Sequence, residues 1–401
     1  MLSGGGARGA YEAGVLRFVL GDLPTRLGFI PRFDVYSGTS VGAVHSCYLA
    51  ALSDDPQSGV RNLVEVWRNM SFSRVYQFGV GDAWSFAKSL LGFVTGSSIG
   101  AAAGRSRVHG LLNTAPLERL VVEGIPWRRL RRNRRSGLFS AVCVSTTEVA
   151  TGRTVTFVDH RDREVPTWTN DVLHVAKPAR MGPEHALASA AIPFLFPTVR
   201  IGGTFYCDGS LRQQTPLAPA LRLGSNRVLV VGLRHGRPPT LDDPLAAERI
   251  DLMHSAGFLF GKILDTLLID RLEYDLGQMR VVNRILRAGL ELYGEEYLER
   301  VNVQVKKERG LGFGVVEDCL IRPSRDIGMI AARHVARAKS QPDRSLLGQL
   351  AFGAMTRGSP ENEADLMSYL LFDGEYAAEL IELGYSDAAA MELELIRFFS
   401  S

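Results

Sequence analysis

Ser40 stands at the centre of Gly38-Thr39-Ser40-Val41-Gly42, with a glycine two residues away on either side. That spacing suits a sharp strand-to-helix turn, where small neighbours let the serine hydroxyl stand clear of a sheet as a nucleophile. A second match, Gly96-Ser97-Ser98-Ile99-Gly100, lacks the context. Ser40 follows the apolar FDVY and precedes a helix-forming run from Ala43 to Leu52, whereas Gly104 cuts short the run after Ser98. Ser40 is therefore the expected nucleophile, and Gly38, Thr39, Val41 and Gly42 form its turn.

The other chemistry-bearing stretch is LSGGGARGAYEAG, residues 2–14. Glycines this dense ahead of a helix bring backbone N–H groups close to something negative. Three templates compete for Gly4, Gly5, Gly6, Ala7, Arg8 and Gly9. A Walker loop needs Gly-Lys-Ser/Thr at its end, and Gly9-Ala10-Tyr11 lacks it. A dinucleotide fingerprint is met by Gly4, Gly6 and Gly9, with Asp34 at a tolerable distance for a ribose contact. An oxyanion hole, the third, requires a nucleophile elsewhere, and Ser40 supplies a candidate.

A serine nucleophile needs a base. None of the eight histidines lies in a persuasive motif, and His45, five residues after Ser40, reads as a packed or half-exposed helix residue. Asp208, in FYCDGSLRQQTP, ends a strand-like segment at a turn that Gly209 permits. Turn chemistry alone accounts for an Asp-Gly pair, so the residues by themselves leave its role open.

These groups need a scaffold, and the chain alternates strand-like and helix-like segments. Ala10–Leu20 reads as a helix, Phe33–Tyr36 as a short strand, and Leu138–Ser145 and Thr154–Val158 as strands. Val199–Ile201 and Thr204–Tyr206 flank Gly202-Gly203, a hairpin signal, and Leu217–Leu223 then Arg227–Gly232 read as helix and strand. The expected fold is an α/β sheet covered by helices. Only Met1, Leu2 and Ser3 precede the glycines, fewer than the about five residues of an ordinary strand, so the strand expected there is cut short. GRPPTLDDP, spanning 236–244, marks a linker between a catalytic domain at 1–235 and a largely helical region at 245–401, with one further strand near 315–321. In that region 322–357 is basic and 361–394 acidic, and solvated faces are the plainer expectation.

Composition excludes several classes. A net charge of +3 argues against nucleic acid, and four scattered cysteines without a CxxC pair support neither a disulfide framework nor a zinc site. A reducing, cytoplasmic setting fits, with no metal or cofactor required. The run 85–104 is a poor transmembrane span, the overlapping 84–103 is a candidate cover for the site, and the apolar 258–272 is expected to pack in a core rather than line an acyl pocket or rest on a membrane. WRRLRRNRR at 127–135 sets six arginines beside a tryptophan, suited equally to anionic headgroups and to a solvated edge.

SGGGARGAYEAGVL, GTSVG and LASAAIPFLFPTVRIGGTFYCDGS, in that order, together resemble the patatin-like phospholipases over residues 2 to about 235. The resemblance implies a three-layer α/β/α fold with a helical C-terminal extension. It also implies a Ser–Asp dyad in which Ser40 attacks and Asp208 takes its proton, and an oxyanion hole at Gly4–Gly9. Arg8 would orient that loop or meet a phosphate. The third residue of the acid motif is usually Gly or Ala, and here it is Ser210, small enough to fit. The implied substrate is a phospholipid, lysophospholipid or related acyl ester, met through peripheral contact with a membrane. An isolated aspartate titrates near ~3.9, so the implied base is weak and activity is expected to persist to lower pH than with a histidine. A nucleotide-binding protein and a non-catalytic lipid scaffold are the competing classes.

Overall fold

The computed structural model describes residues 1–76, 113–162, 165, 173–193, 195–213, 215–236, 272–339 and 364–400. Ser98, the run 84–103, residues 237–244 of the linker and all of the apolar run 258–272 except Leu272 lie outside the described residues.

The centre of the sheet is β2 (Ala141–Glu148), seven of whose eight residues are buried. It pairs antiparallel with β3 (Thr154–His160), which pairs parallel with β4 (His174–Pro178). The other edge of β2 is shared. Its first part pairs parallel with β1 (Val35–Thr39), and its last part pairs antiparallel with β6 (Thr204–Asp208). β5 (Val199–Ile201) joins β6 through the Gly202-Gly203 turn, where Gly202 has φ 63° and a glycine is required. β7 (Arg227–Val231) pairs parallel with β8 (Glu317–Ile321). The two sets of strands meet at Leu2, which bridges both Gly38 and Val231. Each side of the backbone there has a neighbour: Leu2 N–H donates to Ser37 O at 2.9 Å, and Val231 N–H donates to Met1 O at 3.0 Å.

Helices cover both faces. Val142 and Val144 of β2 pack with Ala43 and Cys47 of α2 (Val41–Ala51), with Trp127 and Leu130 of α5 (Trp127–Arg135), and with Ala186 of α6 (Pro183–Ser189). Ala141 and Cys143 face the other way, as strand alternation requires. A larger core joins Val231 and Ile321 to α1 (Gly9–Arg17), α3 (Pro56–Arg68), α10 (Ile327–Lys339), α11 (Ala364–Leu370) and α12 (Gly374–Ala390). The starts of two of these helices are set by sequence. Asp55 accepts from Ser58 N–H at 3.3 Å ahead of Pro56, and Asp373 accepts from Glu375 and Tyr376 N–H at 3.0 and 3.2 Å. Among the described residues, the other α-helices longer than one turn are α4 (Ala115–Gly124), α7 (Leu217–Arg222), α8 (Leu272–Tyr293), α9 (Glu296–Arg309) and α13 (Glu392–Ser400).

α1 is buried on every side from Gly9 to Leu16, because α12 lies against it at backbone contact. A Cβ on Gly14 would enter the Ile381 carbonyl, and one on Gly384 would enter the Tyr11 carbonyl. Tyr11 also donates its hydroxyl to Asp387 at 2.9 Å. The oppositely charged C-terminal stretches are not merely solvated. Arg333 and His334 of α10, and Arg325 just before it, all reach Glu379 of α12, at 2.8, 2.9 and 3.5 Å. β4 has no counterpart in the sequence reading, since HVAKP lacks the β-branched density that marks a strand.

Candidate active site

β1 ends at Thr39, and the chain turns into α2 at Ser40 with φ 55° and ψ −125°. Ser40 is the one non-glycine residue at positive φ among the described residues. An L-residue is strained there, and it persists because the surroundings over-determine it. A Cβ on Gly38 would strike the Gly42 carbonyl, and one on Gly42 would strike the Leu2 carbonyl, so both glycines are steric necessities of the turn. Ser40 N–H donates to Ser189 Oγ at 2.8 Å, and the Ser189 hydroxyl donates to Ser145 O at 2.6 Å. Ser189 thus ties the turn to β2. No spacing rule singled it out, although it lies in the LASAAIP segment that carries the family resemblance.

Asp208 reaches the same place from the opposite direction. Thr39 pairs with Ser145 and Asp208 pairs with Thr146, so the ends of β1 and β6 abut along one edge of β2. The Ser40 side chain and the Asp208 carboxylate are thereby brought together, and the hydroxyl favours the charged form of the carboxylate. Asp208 is 1% exposed, and its Oδ1 also accepts from Ser210 N–H at 2.8 Å. Burial raises its pKa to about 6, against the opposing effect of the Ser40 hydroxyl and of the Ser210 N–H. Gly209 lies so close to Ser145 O that any side chain would collide.

The glycine loop closes over this pair. A Cβ on Gly4 would meet Ser40 Cβ at 3.2 Å and would overlap Ser210 Oγ. Gly6 has φ 54° and lies against the Tyr369 carbonyl, where no side chain fits. A single 3-10 turn, Gly6–Arg8, leads into α1. Arg8 N–H returns to Gly5 O at 3.1 Å, whereas the amides of Gly5, Gly6 and Ala7 meet no acceptor among the described residues. Arg8 is buried, donates to Ser368 Oγ at 2.7 Å and lies 3.9 Å over the Tyr369 ring. Its guanidinium therefore points into α11 and fastens the loop rather than facing a ligand.

The same loop rests on a buried polar chain that was not foreseen. Ser3 N–H donates to Glu12 Oε1 at 2.7 Å, Glu12 Oε2 meets His45 Nδ1 at 2.7 Å, and Trp67 Nε1–H donates to His45 Nε2 at 3.0 Å. Since Nε2 accepts, Nδ1 carries the proton and donates to Glu12. Both imidazole nitrogens are occupied, so His45 has nothing to offer Ser40.

The family described as patatin-like phospholipase matches residues 1–221, more than half of the chain. The chain belongs to the patatin-like phospholipase family. This is a family of lipid acyl hydrolases, and the chain has its central mixed sheet flanked by helices, with a further helical C-terminal region. No curated protein matches the chain. The crystal structure of VipD from Legionella pneumophila is similar over 95% of this chain and 66% of its own length, at 13% identity and a TM-score of 0.32. Among the described residues of this patatin-like chain, no helix is long and apolar enough to cross a membrane.

Proposed function

We propose that this patatin-like chain hydrolyses carboxylic ester bonds of phospholipids, lysophospholipids or related acyl esters through a Ser40–Asp208 dyad. The observation that carries the reading is the placing of Ser40, held at positive φ, beside the buried Asp208 carboxylate where the ends of β1 and β6 abut on β2. Ser40 Oγ attacks the ester carbonyl while Asp208 takes its proton, and collapse of the tetrahedral intermediate expels the alcohol with that proton. Water then enters, gives a proton to Asp208, and releases the fatty acid from the acyl-enzyme. The unsatisfied amides of Gly5, Gly6 and Ala7, at the start of α1, suit the oxyanion of both intermediates.

The raised pKa of Asp208 changes the expected pH behaviour. A base titrating at about 6 is stronger than an ordinary aspartate, and its activity falls at a pH where a histidine's would also fall. Temperature separates the two, because carboxyl ionisation is nearly athermal and imidazole ionisation is not. The inflection of kcat/KM near pH 6 should hold its position on warming; a shift of the imidazole kind would count against Asp208. The direct test is labelling with a fluorophosphonate probe. Labelling should vanish in Ser40→Ala and slow by about a hundredfold or more in Asp208→Asn, and labelling that survives Ser40→Ala would sink the assignment.

A further inference from the structure

We propose that the arginine-lined cavity on α5 is a binding site for a ligand carrying clustered phosphate groups, separate from the ester-cleaving site. The cavity holds about 440 Å³ and is lined by Arg128, Arg131, Arg132, Arg135, Ser136 and Arg180. None of these lining residues is a carboxylate. The four arginines of α5 follow the i, i+3, i+4, i+7 spacing of one helix face, and Arg180 joins them from the segment after β4.

The site is built rather than merely charged. Arg134 and Asp159, 4% and 3% exposed, form an ion pair at 3.1 Å, and the other Asp159 oxygen accepts from Met181 N–H at 3.0 Å. One buried carboxylate therefore fixes both the helix and the backbone beside Arg180. On the opposite side Asp54 is occupied by Arg129, Arg132 and Asn133, at 2.8, 2.6 and 2.7 Å. Asp54 and Asp159 are thus engaged in holding α5. Arg128, Arg131, Arg135 and Arg180 have no ion pair or hydrogen bond from their guanidiniums among the described residues. Like charges repel along a helix face, and the helix C-terminus offsets only part of that. Guanidinium forks match phosphate oxygens in pairs, so several forks around one space suit several phosphates on one scaffold.

Location separates this cavity from the chemistry. Asn133 Nδ2 donates to Ala51 O at 3.0 Å, at the last residue of α2, whereas Ser40 caps its first turn. The helix between them is about 16 Å long. A ligand in the cavity is therefore not the ester under attack.

The shared chemistry could come from an inositol-lipid headgroup or from a free polyphosphate, and separate arms distinguish them. Inositol hexakisphosphate is titrated into the full chain, and flotation is measured with phosphatidylcholine vesicles containing phosphatidylinositol bisphosphate or, at equal surface charge, phosphatidylserine. The double variant Arg128→Gln/Arg135→Gln should weaken binding by about tenfold or more, and Arg180→Gln by several-fold. Arg284→Gln, an exposed arginine on α8, removes a like charge elsewhere and should change nothing. Turnover of a soluble ester should be the same in all of them. Vesicle binding above the phosphatidylserine control, lost in the cavity variants, assigns the lipid headgroup; soluble binding without that gain assigns the free anion. Cavity variants that bind like wild type would overturn the proposal, as would equal binding to both vesicles with no soluble binding.

Discussion

Burying a carboxyl group favours its neutral form, and at Asp208 the same displacement that strengthens the base weakens the fold. Its pKa rises from 3.8 unfolded to about 6 folded, so its cost to stability is absent below the first value and appears as pH climbs through the second. Asp208→Asn keeps an oxygen for Ser210 N–H and removes the charge. It should be inactive yet more stable at about pH 8, by up to about 3 kcal/mol, with no gain at about pH 4. Urea midpoints at the two pH values check this, and a loss of stability at the higher pH would refute it. Sequence could name Asp208 but could not foresee its basicity, because the shift arises from a tertiary environment that an isolated Asp-Gly turn does not reveal. Ser189 is the complementary case, invisible to any motif rule until its hydroxyl is seen bridging Ser40 and Ser145. Ser189→Ala leaves two buried polar groups unpaired, so it should cost about 1–3 kcal/mol in denaturant unfolding and slow fluorophosphonate labelling.

Among the elements, those of the catalytic motifs were the most legible, because their local signals are strong. Glycine density, the GxSxG turn and the Gly202-Gly203 hairpin each act over a few residues, and all three elements form. The joining of β1 and β6 on one edge of β2 was not legible, since strand order follows from pairing between segments far apart. Nor was the seating of α12 on α1, which depends on Gly14 and Gly384, two glycines without a turn to announce them. Gly384→Ala adds a methyl where the Tyr11 carbonyl sits, and overpacking of this kind costs about 1–3 kcal/mol. Because α1 begins at the glycine loop, the variant should lose ester turnover along with stability, measured side by side. Unchanged turnover in a destabilised protein would show that the loop is insulated from α12.

For the molecule as a whole, the described C-terminal helices are part of the core that holds the first helix. Tyr376, Leu380 and Ile381 share a buried cluster with Tyr11, Val15 and Val231, and Arg8 is fastened by Ser368. A chain ending before residue 364 should therefore be insoluble or unlabelled by fluorophosphonate, although it retains every residue of the dyad and the glycine loop. Soluble, labelled protein from that truncation would assign these helices to a separate unit.

The contact between Gly14 and Ile381 also sets a schedule. During synthesis the glycine loop, the Ser40 turn and Asp208 all leave the ribosome well before the helix that clamps the loop. At about 5–20 residues per second the wait is roughly ten seconds or more, during which the nascent chain carries every reactive group without an assembled site. The chain is thereby expected to stay disarmed until α12 has emerged, and hydrolysis to begin only after that. Ribosome-stalled chains ending before and after the α12 segment should mark that moment, with probe labelling only in the longer.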